Sequence, residues 1–187
     1  MKIQRILLTI FLFEALFCLA QNEKEFIIKS IESNINIDGV GNEKEWDLAE
    51  WQSEFWLWRP NDSLKAEKQS RFKILKNEKN LYILVESLTD GKNFSTPSLK
   101  RDFNTYGADF ITLLFDTFSD GTNAFSFSTN PLGLKNEGLI SGGNQNYRTD
   151  RSYTWDTKWF VESKVYEDRY SVEIQIPFAS FFYKIYS

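Results

Sequence analysis

Tyr170-Ser171-Val172-Glu173-Ile174-Gln175-Ile176 is the stretch whose reading decides the fold class. Side chains alternate across an extended chain, so Tyr170, Val172, Ile174 and Ile176 share one face. The expectation is a strand with that face inward and Ser171, Glu173 and Gln175 outward. The same two-residue period recurs upstream. Phe72 and Ile74 share a face in residues 70–76. Leu81, Ile83 and Val85 share one in residues 81–86, with Tyr82, Leu84 and Glu86 on the other. Phe125 and Phe127 alternate with Ser126 and Ser128, which reads as a half-exposed strand. Trp159, Val161, Ser163 and Val165 make another. Residues 109–117 are nearly continuously apolar, the pattern of a strand buried on both sides. Polar and Gly-containing clusters at 76–80, 119–122, 130–133 and 167–169 separate these runs as turns.

One departure from this period lies near the start. Ile35 and Ile37 alternate into an Asp38-Gly39 turn, and Asn42 stands three residues before Glu45. That spacing is a capping box, so a short helix over 43–50 is expected, with Trp46 and Ala49 on its buried face. Short strands without βαβ alternation or repeats give an all-β fold: an antiparallel β-sandwich, jelly-roll or immunoglobulin-like, with one short helix.

Composition narrows the chemistry. The chain has 187 residues with a net charge of −4, no histidine and one cysteine. Without histidine, Ser-His-Asp, Cys-His and His-zinc chemistry are excluded. No basic stripe is available for phosphates, so nucleic acid is not an expected partner. Aromatic residues are abundant, with 17 Phe, 8 Tyr and 6 Trp.

Residues 1–20 read as a signal peptide. Lys2 and Arg5 precede a short apolar run, and Cys18-Leu19-Ala20 place small residues before a cleavage at Gln21. The run is too short and interrupted for a transmembrane helix, and no transmembrane span is expected in the mature chain. The expectation is an exported protein (periplasmic, outer membrane-associated or secreted) whose residues 21–187 form one domain. Cleavage removes Cys18, so the core is held by packing without a disulfide.

Aromatic rings pack on the C–H faces of sugars while nearby amides and charged groups bond the hydroxyls. The candidate platform residues are Trp56, Trp58, Tyr153, Trp155 and Trp159, with Asn144 and Arg148 as polar partners. Trp56 and Trp58 would share a face if extended. Trp155 and Trp159 flank Asp156. Asp116 and Asp120 in the segment 116–121 are candidate calcium ligands, since clustered carboxylates suit a hard cation, although the spacing is not that of an EF-hand. No cofactor is required by this reading, and calcium is an optional ligand. Glycoside hydrolysis is a weaker reading. Asp102, Asp109, Asp116, Asp120, Glu137 and Asp156 are available carboxylates, but no spacing among them selects a catalytic pair.

Several stretches taken together carry a resemblance. They are Ile37-Asp38-Gly39 with Glu43 and Trp46; Asn80-Leu81-Tyr82-Ile83; Arg101-Asp102 before Asp109; Asp116 to Asp120 leading into Ala124-Phe125-Ser126-Phe127; Asn130-Pro131 with Gly133; Trp155-Asp156 with Trp159; and Glu173 to Phe178. In this order the chain resembles the family 9 carbohydrate-binding module-like domain over roughly residues 35–182. The closer likeness is to the version at the N-terminus of larger bacterial exported, membrane-associated proteins. The resemblance implies a β-sandwich that binds a saccharide without catalysis, often alongside polysaccharide catabolism, with calcium sometimes structural. It also implies framework roles for Trp46, the Asp38-Gly39 turn and Pro177. Longer relatives continue far past the Ile-Pro-Phe segment, so this chain reads as a truncated product or a free-standing module. The alternative is a structural domain that docks on a cell-envelope protein and has no sugar affinity.

Overall fold

The computed structural model describes residues 26–57, 62–90, 93–142, 151–152 and 154–181. In chain order the elements are β1 (Lys29–Ser30), a 3-10 helix (Lys44–Leu48), β2 (Ser70–Lys76), β3 (Asn80–Leu88), β4 (Ile111–Phe115), β5 (Ala124–Thr129), β6 (Lys135–Ile140), β7 (Arg151–Ser152), β8 (Phe160–Val165), β9 (Arg169–Pro177) and a second 3-10 helix (Phe178–Phe181). They form one sheet in the order β1-β2-β3-β9-β8 and another in the order β4-β5-β6-β7. All pairings are antiparallel except β1 with β2. The expected β-sandwich is the observed one.

The register of β3 against β9 fixes the core. It runs from Asn80 opposite Pro177 to Leu88 opposite Arg169, and sets Ile83 beside Ile174 and Val85 beside Val172. These apolar side chains meet Phe125 and Phe127 of the other sheet, with Trp159 and Val161 closing the same cluster. Phe127 is the hub of an edge-to-face aromatic group. Its ring centroid lies 5.9 Å from Phe115, 5.7 Å from Trp155, 5.4 Å from Trp159 and 5.7 Å from Phe181. Such pairs stabilise beyond the area they bury.

A second apolar layer covers the far face of the five-stranded sheet. Ile31, Ile35, Trp46 and Ala49 pack on Leu75, Tyr82 and Leu84. This corrects the outward assignment of Ser171 and Glu173, which are both fully buried. Glu173 accepts hydrogen bonds from the Asp38 and Gly39 backbone at 3.0 and 2.8 Å and from the Trp46 indole at 2.9 Å. The expected helix is also shorter and tighter than read. Glu43 caps it in an extended conformation without a side-chain bond, and Glu45 accepts from Ser33 instead of closing a capping box. A 3-10 turn repeats every three residues, which brings both Trp46 and Ala49 down on the sheet.

Two strands differ in burial from their sequence pattern. β4 is an edge strand, paired only with β5, and Leu114 is exposed rather than buried on both sides. β5 is not half-exposed, because Ser126 and Ser128 are fully buried. Ser128 bonds the Thr112 hydroxyl at 2.8 Å, and its neighbour across the ladder, Asn136, donates to the carbonyl of buried Phe103 at 2.7 Å. The segment before β4 therefore covers that face.

Gly39 shows how tightly the outer layer lies. Its φ is +82°, and a Cβ there would sit 2.6 Å from the backbone of Ser163, whereas Gly121, at φ +65°, has open space around it. We predict that Gly39→Ala destabilises the fold by more than about 2 kcal/mol and Gly121→Ala by only about 1 kcal/mol, the left-handed strain alone. Urea unfolding of both variants checks this, and equal losses would contradict the close packing.

Candidate functional site

Glu137 lies at the middle of β6, directly across from Phe127 of β5. It is 2% exposed, and its Oε2 accepts from the Trp159 indole at 3.1 Å. Its Oε1 pairs with the Arg101 guanidinium. The same Arg101 nitrogen donates to Asp156 Oδ1 at 2.5 Å. Arg101 reaches this place because the Asp102 backbone N–H bonds the Lys135 carbonyl at 2.9 Å, with Asp102 in a left-handed conformation at φ 58°. Lys135 in turn donates to the Trp159 carbonyl at 3.0 Å and stands 5.6 Å over its ring. The cluster runs from the dry core to solvent: the Arg101 side chain is 44% exposed and that of Asp156 is 75% exposed.

The two carboxyl groups are driven apart in acidity. Burial pushes Glu137 above its ordinary range, against the pull of the Trp159 N–H and the Arg101 charge. The hydrogen bond from Glu137, aided by Arg101, holds Asp156 below its ordinary range. On the solvent side the surface offers an acceptor and a guanidinium side by side.

Trp155 directly precedes Asp156 in the chain. It is half-buried, with its ring packed 5.2 Å from Phe125 and 5.7 Å from Phe127. The expectation that Trp159 lies open is corrected: it is 1% exposed, because its indole N–H is needed by Glu137 and its ring fills the core. Trp56 is 57% exposed, with Lys65 5.7 Å above its ring. It follows the segment that bridges to β2 through Gln52 and Phe72, so it belongs to the other sheet and does not join Trp155. Trp58, Tyr153, Asn144 and Arg148 lie outside the described residues. Sequence reading missed Arg101 as a site residue. It lies 36 positions from Glu137 and 55 from Asp156, and the backbone bond from Asp102 to Lys135 of β6 brings it to them.

Asp116 and Asp120, the calcium candidates, sit in a network of N–H donors. Asp116 accepts from the backbone of Phe118, Asp120 and Gly121 at 3.2, 3.3 and 2.8 Å. Asp120 accepts from the backbone of Thr122 and Asn123, both at 2.8 Å, and from the Asn123 side chain at 2.7 Å. These bonds hold Asp120 well below its usual carboxylate range. They make a turn whose carboxylate oxygens accept N–H bonds from within the loop. The carboxylates that do converge among the described residues are Asp38, Glu43 and Glu173, with one oxygen of each within 4.8 Å of the others. Both Glu173 oxygens already accept N–H bonds, so donor hydrogens point where a cation would need lone pairs.

The sequence matches the family described as carbohydrate family 9 binding domain-like over residues 37–185. The chain belongs to that family. Family 9 modules from Caldicellulosiruptor kristjanssonii share its fold. One, solved with cellotriose, has a TM-score of 0.53 and 17% identity, and the match covers 81% of this chain and 66% of that one. The other, solved with glucose, has a TM-score of 0.55 and 16% identity, covering 81% and 70%. A protein from Bacteroides uniformis ATCC 8492 matches at a TM-score of 0.56 and 12% identity, covering 82% and 72%. This family 9-like chain thus spans just under two thirds of the cellotriose-bound structure. No curated protein matches it significantly.

The buried carboxyl on the five-stranded sheet gives this family member a pH signature. Burial, countered by the Asp38, Trp46 and Gly39 donors, pushes Glu173 from 4.5 up to about 7. Its folded pKa exceeds its unfolded one, so its contribution is fully present below about pH 4.5 and is lost as pH rises through about 7. Wild type should therefore lose stability relative to Glu173→Gln across that window. Denaturant unfolding at successive pH values measures the difference, and a pH-independent gap would contradict the assignment.

Proposed function

We propose that the chain is a non-catalytic carbohydrate-binding module and that Trp155, Asp156 and Arg101 form its saccharide-contacting surface. The observation that carries this reading is a half-buried indole immediately preceding, in the chain, the exposed Asp156 that pairs with Arg101. Phe125 and Phe127 pack on Trp155, which keeps the ring from swinging and leaves its exposed part for a sugar C–H face. Asp156 accepts from hydroxyls and Arg101 donates to them, a fixed polar pair beside an apolar platform. Membership of the carbohydrate family 9 binding domain-like family supports saccharide as the ligand class.

The same geometry favours binding over hydrolysis. A glycosidase pair flanks the scissile bond with about 5 Å or more between carboxyl groups. Here one Arg101 nitrogen bridges Glu137 and Asp156, and Glu137 is shut in the core. Export through the residues 1–20 leader and service in polysaccharide breakdown complete the proposal. Among the described residues no helix is long and apolar enough to cross a membrane.

A second reading rests on the exposed apolar side chains of Leu99, Tyr106, Phe110, Leu114 and Phe118, which suit docking on an envelope protein domain. Calorimetry with neutral oligosaccharides, cellotriose among them, separates the two. Under the binding reading at least one sugar gives saturable heat, Asp156→Asn and Trp155→Ala each weaken it by about tenfold or more, and Trp56→Ala leaves it unchanged. Trp155→Phe serves where loss of the larger ring costs stability. Absence of heat across the panel would leave docking as the better account.

A further inference from the structure

We infer that Glu137 is a positioning residue, which fixes the Arg101 guanidinium and through it the Asp156 carboxylate beside Trp155. The inference rests on the proposed saccharide surface for its purpose, but its geometry stands independently. An arginine with its side chain 44% exposed ordinarily samples several rotamers, and ordering it on binding weakens affinity. Arg101 does not have that freedom. Its Nη2 is tied to Glu137, and Glu137 is held from three sides: by the β6 backbone, by Phe127 opposite it, and by the Trp159 indole on its other oxygen.

The tie passes outward in one further step. The same Nη2 donates to Asp156, in the segment that leads from Trp155 to Trp159. One buried carboxyl therefore sets the places of two exposed polar groups, and Phe127, its partner across the ladder, also packs on Trp155. Other charges around the cluster are Lys135, which is committed to the Trp159 carbonyl, and Asp102, 4.0 Å from Arg101 Nε. Neither replaces Glu137, because Asp102 is itself exposed and stands at the 4.0 Å limit of an ion pair.

The test has a ligand-free arm and a ligand arm. NMR relaxation of the Arg101 Nε–H should show it as ordered as the backbone in wild type and mobile in Glu137→Gln. The Asp156 carboxyl should at the same time titrate closer to its ordinary range in that variant. With the tightest sugar from the neutral panel, Glu137→Gln should bind about tenfold more weakly at a temperature where the variant remains folded. Glu137→Asp keeps the carboxyl but shortens the reach, and should show the same loosening if the glutamine variant fails to fold. An Arg101 that is mobile in wild type, or equally ordered in wild type and variant, overturns the inference. So does a variant that binds sugar as tightly as wild type. If Arg101 is ordered only in the presence of Glu137 and no sugar binds wild type, the positioning relation stands and the saccharide reading fails.

Discussion

A carboxyl group in a dry interior is stable only when donors surround it or when it keeps its proton. Among the described residues this sandwich carries two such groups, one near the middle of a strand in each sheet. Glu173 of β9 meets the indole N–H of Trp46 at 2.9 Å, and Glu137 of β6 meets that of Trp159 at 3.1 Å. Each carboxyl also holds a segment from elsewhere in the chain: the Asp38–Gly39 turn in one case, Arg101 in the other. The outer layers of the fold are thus fastened to the sheets through polar groups with strict geometry, rather than by apolar contact alone. Removing either carboxyl leaves donors without acceptors, so the attachments and the core stand or fall together.

The strands were legible because alternation is a local signal. Residues 70–76 and the run from Tyr170 to Ile176 read as strands from their own side chains, and the structure places them as β2 and within β9. Burial was less legible, because it depends on what lies across the sheet. Ser171 and Glu173 read as outward, and Ser126 and Ser128 as half-exposed, since a polar face in an alternating strand usually meets water. Here those faces are covered by residues 31–49 and by Phe103, which no local window connects to them. The capping box at Asn42 and Glu45 was a sound local pattern, and tertiary packing of Trp46 overrode it.

The candidate site divides along the same line. Abundant aromatic residues pointed toward indole platforms, and Trp155 and Asp156 could be named from the sequence. Whether a given tryptophan is a platform or a core residue could not, as Trp159 shows with 1% exposure only four positions from half-buried Trp155. Arg101 became visible only through a long-range backbone bond, from Asp102 to Lys135. A binding surface built this way takes its rigidity from the core beneath it, and that suits a module that contributes affinity rather than chemistry.

The most direct measurement is a proton–nitrogen correlation spectrum of the labelled protein during titration with an oligosaccharide it retains. Each tryptophan reports separately through its indole N–H. The account predicts saturable shifts at the Trp155 indole and the Asp156 amide, while the buried Trp46 indole stays in place. Shifts confined to Trp56, or a spectrum unmoved by every sugar tried, would contradict it.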